Sequence, residues 1–375
     1  MLTLRTAVKS MKPYIPGKPV ADVQRELGIT DLIKLNQNEN PLGPSPRALA
    51  AAAAALNQSH TYPEGSARSI RERLATEWGL PPDWFIIGNG SDEVFRLLAE
   101  TYLEPGDRVV VPAPSFAGYP LVAELMGAEV VAIPLVENTM DLPAMARAAV
   151  ERQSRLIFLC RPNNPTGAVF AEEAMPAFMA AVPADTYVVL DEAYREFDET
   201  TFDARRLVAQ YPNLIVTRTF SKIYGMAGFR LGYGVARPEV IAPFYTVRDP
   251  FSINNLAVAA GIAALDDQAH LERTRALTLE GKQFLYKAFD RLGLRYVPTQ
   301  ANFILFDTQR LAVDVYSALL RHGVLIRPCA SFGLPYSLRV TVGTAAENAR
   351  FVTALETVLA DSSSLRNAKQ LESAN

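Results

Sequence analysis

Short apolar runs alternate with helical patterns through the middle of the chain. The segments RVVVPAP (108–114), EVVAIPL (129–135), RLIFLCRP (155–162), TYVVLDEAY (186–194) and NLIVTRTFS (213–221) are rich in Val, Ile and Leu and read as buried strands. Between them, SDEVFRLLAETYL (91–103) and AEEAMPAFMAAV (171–182) have helical texture, and ALAAAAAALN (48–57) is an Ala-rich helix. Apolar strands separated by helices predict an α/β fold with a mostly parallel sheet covered on both faces. In such sheets ligands bind at the carboxyl ends of the strands. After about residue 250 the texture changes. One long helical stretch over 254–293 leads to QANFILFD, VLIRP and SLRVTVGT, which predict a smaller α+β domain. The tail, DSSSLRNAKQLESAN, is too polar to pack.

A chain of 375 residues is too long for one small core, so two domains are expected. With 49% hydrophobic and 21% charged residues it is an ordinary globular composition. A net charge of −3 and a pI near 5.8 leave no electrostatic footprint for nucleic acid or an anionic membrane. No apolar run reaches the roughly 18 residues of a membrane span, and the N-terminus lacks a signal-peptide core. Two cysteines, Cys160 and Cys329, make no disulfide framework, which points to the cytoplasm. Three scattered histidines follow no metal-ligand spacing, so no metal is expected.

The distribution of cations changes the picture. Of 37 Lys and Arg, only Lys222 is a lysine between Lys34 and Lys282. Arginine cannot lose its proton in a protein, whereas a buried lysine can become neutral and attack a carbonyl. Lys222 is therefore a candidate Schiff-base lysine, against the blander reading of a leftover surface residue.

Four further clusters follow strands. In IIGNGSDEVFRLL (86–98) Gly88 and Gly90 turn the chain, and Ser91 and Asp92 open a helix whose free N–H groups suit a phosphate. Glu93 stands where a dinucleotide fingerprint would have its third glycine, and a plain helix cap would read the same way. In RPNNPTG (161–167) flanking prolines stiffen the loop, so the Asn164 amide could be held toward a ligand, or could simply make a turn. Asp191 ends an apolar run and needs a positive partner, either an arginine or a protonated pyridine nitrogen, with Tyr194 able to donate nearby. Thr219, Ser221 and Arg230 bracket Lys222 with groups that hold phosphate, while Arg327 and Arg339 sit in or beside apolar strands, where arginines meet anions. Together these describe one ligand with a phosphate, a pyridinium, a phenolic oxygen and an aldehyde, which is pyridoxal 5'-phosphate.

The set NGSDE, PNNPTG, DEAY, TFSKIYGMAGFRLG and LRVTVGT resembles the fold-type-I pyridoxal-phosphate aminotransferases, and within them the histidinol-phosphate branch. The likeness runs from YIPGKP (14–19) through NENPLGPSP and YPEGSARSIRERLA to about residue 360. It implies an N-terminal arm with part of the small domain over 1–45, a large cofactor-binding domain over 46–270, a small C-terminal domain over 271–361 and a polar tail over 362–375. By resemblance, Lys222 holds the cofactor and carries the proton, Asp191 pairs with the pyridine nitrogen, and Asn164 and Tyr194 bond the ring oxygen. Tyr119 matches the aromatic residue stacked on the ring, with Phe116 close enough to compete. Backbone amides near Gly90, Ser91 and Asp92, with Thr219, Ser221 and Arg230, hold the phosphate. Tyr62 reaches the phosphate of a neighbouring subunit, which implies a homodimer with shared sites. Arg339 takes the substrate carboxylate, Arg327 joins it as a second anion anchor, and Tyr14 contacts an imidazole. The implied reaction is amino transfer between L-histidinol phosphate and 2-oxoglutarate. The alternatives are an aromatic amino acid aminotransferase of the same branch, or a decarboxylase of a phosphorylated amino acid. A non-catalytic regulator would need an appended DNA-binding domain, for which the segment before Asn38 is too short, and a nicotinamide dehydrogenase would need the missing glycine.

Overall fold

The computed structural model describes residues 3–9, 11 and 20–361. Its larger sheet contains β1 (Phe85–Gly88), β2 (Arg108–Ala113), β3 (Glu129–Pro134), β4 (Leu156–Cys160), β5 (Tyr187–Asp191), β6 (Leu214–Thr219) and β7 (Gly232–Val235). Their spatial order is β1-β7-β6-β5-β4-β2-β3. Strands β2 to β6 are parallel, and β7 pairs antiparallel with both β6 and β1. These five parallel strands are the five apolar runs of the sequence. Every residue of β4 is buried, as are Val188–Asp191 of β5, so helices on both faces deny these strands a polar side.

The chain passes outward from β2 to the edge strand β3, then returns to form β4 on the other side of β2. Connections leaving the carboxyl ends of β2 and β4 therefore diverge and open a crevice, the usual ligand position in such sheets.

A second, antiparallel sheet contains β8 (Arg295–Tyr296), β9 (Phe303–Asp307), β10 (Arg327–Pro328) and β11 (Ser337–Thr341) in the order β10-β11-β9-β8. Ile33–Lys34 pairs in parallel with Val324–Leu325, which ties the N-terminal segment to this part of the molecule. The stretch expected as one helix over 254–293 is two, Asn255–Leu265 and Gln268–Arg291. Asp267 makes the break, because its side chain accepts from the His270 N–H and starts the second helix afresh. Three helices matter below: α1 (Ser91–Tyr102), α2 (Gly118–Met126) and α3 (Gln268–Arg291). Helix α3 serves both cores: Leu271 packs under the large sheet, while Leu285, Ala288 and Phe289 pack with Phe306 and Phe351 in the smaller one. No described helix is long and apolar enough to cross a membrane.

Candidate active site

A cavity of about 950 Å³ opens at the carboxyl ends of β4, β5 and β6 and is closed on the far side by β10, β11 and the segment 36–39. Its floor is Asp191, the last residue of β5 and 3% exposed. The carboxylate Oδ1 accepts from the Ala193 N–H at 3.1 Å and the Thr217 hydroxyl at 3.3 Å, and Oδ2 accepts from the Tyr119 hydroxyl at 2.6 Å. Burial pushes its pKa up to about 6, against the pull of those donors. No lysine, arginine or histidine among the described residues pairs with it. A buried carboxylate with three neutral donors and no cation is half of an ion pair.

One end of the cavity is built for an anion. Gly90 precedes α1 with φ +80°, and a Cβ there would lie 2.6 Å from Arg230 Nη2. A Cβ on Gly232 would lie 2.5 Å from Ser91 N, so glycine alone lets β7 approach the start of α1. Glu93, in place of a third glycine, accepts from the backbone N–H of Asn89 at 2.6 Å and fixes the turn. Beside the free N–H groups of the helix start, the Thr219 hydroxyl donates to Ser221 Oγ at 2.9 Å. Arg230 reaches Ser221 Oγ at 3.5 Å and Asp92 at 3.3 Å. Three hydroxyl or guanidinium groups and a helix N-terminus thus converge on one point.

Lys222 enters between these two features. Its ammonium lies 5.5 Å from the centre of the Tyr194 ring and donates to the Gln37 carbonyl at 3.2 Å. Burial, then repulsion from Arg339, lowers its pKa to about 8, so a neutral amine is accessible near physiological pH. The Tyr194 hydroxyl accepts from Asn38 Nδ2 at 2.9 Å, which leaves its own hydrogen to point into the cavity. Asn164 Oδ1 accepts from Arg339 Nη1, so the amide nitrogen is the group left to donate. Arg339 is 6% exposed and also donates to the Asn36 carbonyl at 2.9 Å.

The outer wall carries Arg327, directly opposite Arg339 across β10 and β11. Like charges facing each other across two strands are destabilising. Arg327 donates to Ser331 Oγ at 3.4 Å, and no acid of the described residues meets it. Arg327 is therefore placed to meet an anion from outside.

Gly90, Ser91, Asp92, Asn164, Asp191, Tyr194, Thr219, Ser221, Lys222, Arg230, Arg327 and Arg339 all line the cavity. Tyr119 does not. It is fully buried and its ring lies against Phe158 at 4.5 Å, whereas Phe116, like Tyr194 and Phe332, lines the cavity. Tyr119, expected to stack on a ring, points into the sheet, and Phe116, its competitor in the turn before α2, faces the cavity. Tyr62 is 84% exposed, packs on Phe251 at 5.1 Å and stays out of the cavity of its own chain. Tyr14 lies outside the described residues.

The reading of the sequence missed Asn38, Thr217 and Phe332. Asn38 is a visible oddity only in hindsight: a polar residue with φ +56° that is 1% exposed. Its contact with Tyr194 spans 156 positions, and no local pattern signals it.

Comparison with known proteins matches this architecture. The family model for class I and II aminotransferases aligns with residues 30–355. A histidinol-phosphate aminotransferase of Symbiobacterium thermophilum is 72% identical over 361 residues, covering 96% of this chain and 100% of that protein. One from Moorella thermoacetica is 47% identical over 95% of this chain and 93% of its own. The crystal structure of histidinol-phosphate aminotransferase from Sinorhizobium meliloti in complex with pyridoxal-5'-phosphate superposes with a TM-score of 0.89, at 28% identity, covering 95% of this chain and 97% of that one.

Proposed function

We propose that this chain, which belongs to the class I and II aminotransferase family, moves an amino group between L-histidinol phosphate and 2-oxoglutarate with pyridoxal 5'-phosphate as cofactor. The residues fit that cofactor: an anion cradle at Gly90–Asp92, Thr219, Ser221 and Arg230, a buried carboxylate lacking a cation at Asp191, and a lysine of lowered pKa between them. When bound, the cofactor supplies an aldehyde and an electron-withdrawing ring that stabilises negative charge at the donor's Cα.

The protein contributes orientation and proton movement. Asp191 offers a fixed negative charge at the floor, which would hold the cofactor's ring nitrogen in its protonated form. Asn164 Nδ2 and the Tyr194 hydroxyl would hold the cofactor by donating to its phenolic oxygen, and Phe116 on the cavity wall would pack on it. Lys222 Nζ, neutral above about pH 8, takes the proton from the donor's Cα and returns it on the other side of the transfer. One site serves donor and acceptor in turn, so the kinetics are ping-pong.

The substrate reading rests on Arg327, which faces Arg339 across two strands and meets no acid of the described residues. Histidinol phosphate brings a phosphate dianion and no carboxylate, while glutamate brings two carboxylates, and two guanidinium groups serve both. An aromatic amino acid offers one anion and leaves Arg327 unsatisfied. Arg327→Ala is expected to lower kcat/KM for histidinol phosphate by about tenfold or more, the loss of a charge-assisted contact of roughly 1.5–3 kcal/mol. It should barely change turnover of phenylalanine. An equal loss on both donors would remove Arg327 from phosphate recognition.

The same reading includes a cytoplasmic homodimer. The exposure of Tyr62 makes it available to the phosphate end of a neighbouring site. The two hydrophobic cores, joined through α3, are read as the large and small domains.

A further inference from the structure

We propose that Tyr119 is a positioning residue that acts through Asp191, holding the carboxylate ionised and aimed at the cofactor ring. The inference rests on the cofactor assignment above and adds to it a residue that touches neither cofactor nor substrate.

Three observations carry it. The contact is short, with the hydroxyl 2.6 Å from Asp191 Oδ2, and both groups are buried, in the range of charge-assisted O–H···O⁻ bonds. The phenol is also held in place. Its ring is stacked on Phe158 (4.5 Å, 14°) and meets the edges of Phe95 and Phe116, each at 5.4 Å. These contacts fix the ring, so the hydroxyl oxygen stays beside Asp191, with Cys160 as its other neighbour. Finally, among the described residues Tyr119 supplies the one donor to Oδ2, whereas Oδ1 has the Ala193 N–H and the more distant Thr217 hydroxyl. Removing the phenolic hydrogen leaves a buried oxygen of a charged group without its partner, the costly kind of loss. Burial also keeps the phenol itself protonated, well beyond its ordinary range, so it remains a donor at every working pH.

Tyr119→Phe deletes only the hydroxyl and keeps the ring stack. Affinity for pyridoxal phosphate is measured by titrating cofactor-free protein, in the wild-type and the Asp191→Asn backgrounds, with thermal melts of each. The dissociation constant should rise about tenfold or more at pH 7.5 in the wild-type background, with a larger loss at pH 6.5, where the unsupported carboxylate gains a proton. In the Asp191→Asn background the same substitution should change it less than twofold, because there is no carboxylate left to support. Equal losses in both backgrounds, or a fall in melting temperature with unchanged affinity, would make Tyr119 a packing residue and overturn the proposal. Wild-type protein that fails to bind pyridoxal phosphate at all would refute the cofactor assignment, and the inference with it. Tight binding by both wild type and Tyr119→Phe would refute the inference alone.

Discussion

Asp191→Asn is expected to make the cofactor-free protein more stable and the enzyme far slower, and both effects follow from one buried charge. The carboxyl pKa rises from 3.8 to about 6 on burial. Below pH 3.8 the group is protonated in folded and unfolded chains, and its charge costs nothing. Between 3.8 and 6 the folded state keeps a proton that the unfolded state has lost, so stability falls as pH rises. Above pH 6 the full cost is present. A shift of about 2 units at roughly 1.4 kcal/mol each is on the order of 3 kcal/mol. Asparagine carries no such charge, and the Tyr119 hydroxyl can turn to accept from its amide. Thermal melts of cofactor-free protein at pH 5 and pH 8 test this. Wild type should lose ground to the variant on going to pH 8, by several degrees. With pyridoxal phosphate added the order should reverse, since the ring cation compensates the carboxylate and not the amide. The variant should still bind cofactor yet lose most amino transfer. A cofactor-free variant that melts no higher than wild type at pH 8, or one that turns over at the wild-type rate, would refute the reasoning.

Other consequences are as direct. The purified protein should be yellow, and Lys222→Ala should abolish amino transfer while still binding cofactor noncovalently; near-normal turnover would remove Lys222 from the chemistry. Lys222→Arg should be no better than Lys222→Ala, because a guanidinium is neither nucleophile nor base at this pH. With the Lys222 pKa lowered to about 8, the rate of covalent cofactor capture should rise about tenfold per pH unit from pH 6.5 and level off above 8, as followed by absorbance. A flat profile would mean that the amine is already neutral throughout.

The five parallel strands were legible because burial on both faces leaves continuous Val, Ile and Leu runs with nothing else to explain them. Strand β1, FIIG, was legible only as the strand end before the Gly88–Gly90 turn, and β7, GYGV, is short and glycine-bearing, with no periodicity to distinguish it from a turn. Lys222, Asp191 and Arg230 stood out because each is chemically odd in its setting: a solitary lysine, an acid ending an apolar run, an arginine after a phosphate-type loop. Tyr119 and Phe116 could not be separated by sequence. Both are aromatic, they lie three positions apart, and a helix beginning at Gly118 decides which one faces the cavity. The opposition of Arg327 and Arg339 depends on strand register, and the Asn38–Tyr194 contact on how the N-terminal segment crosses the cavity. Neither is a local property of the chain.

The central claim is that the cavity selects a phosphorylated amino donor. Initial rates of amino transfer to 2-oxoglutarate by the wild-type enzyme, measured side by side with L-histidinol phosphate, L-histidinol and L-phenylalanine, test it most directly. The opposed arginines call for kcat/KM highest with histidinol phosphate and at least tenfold lower for histidinol, which lacks only the dianion. Phenylalanine turned over far faster than histidinol phosphate would contradict the assignment and leave an aromatic amino acid aminotransferase in its place.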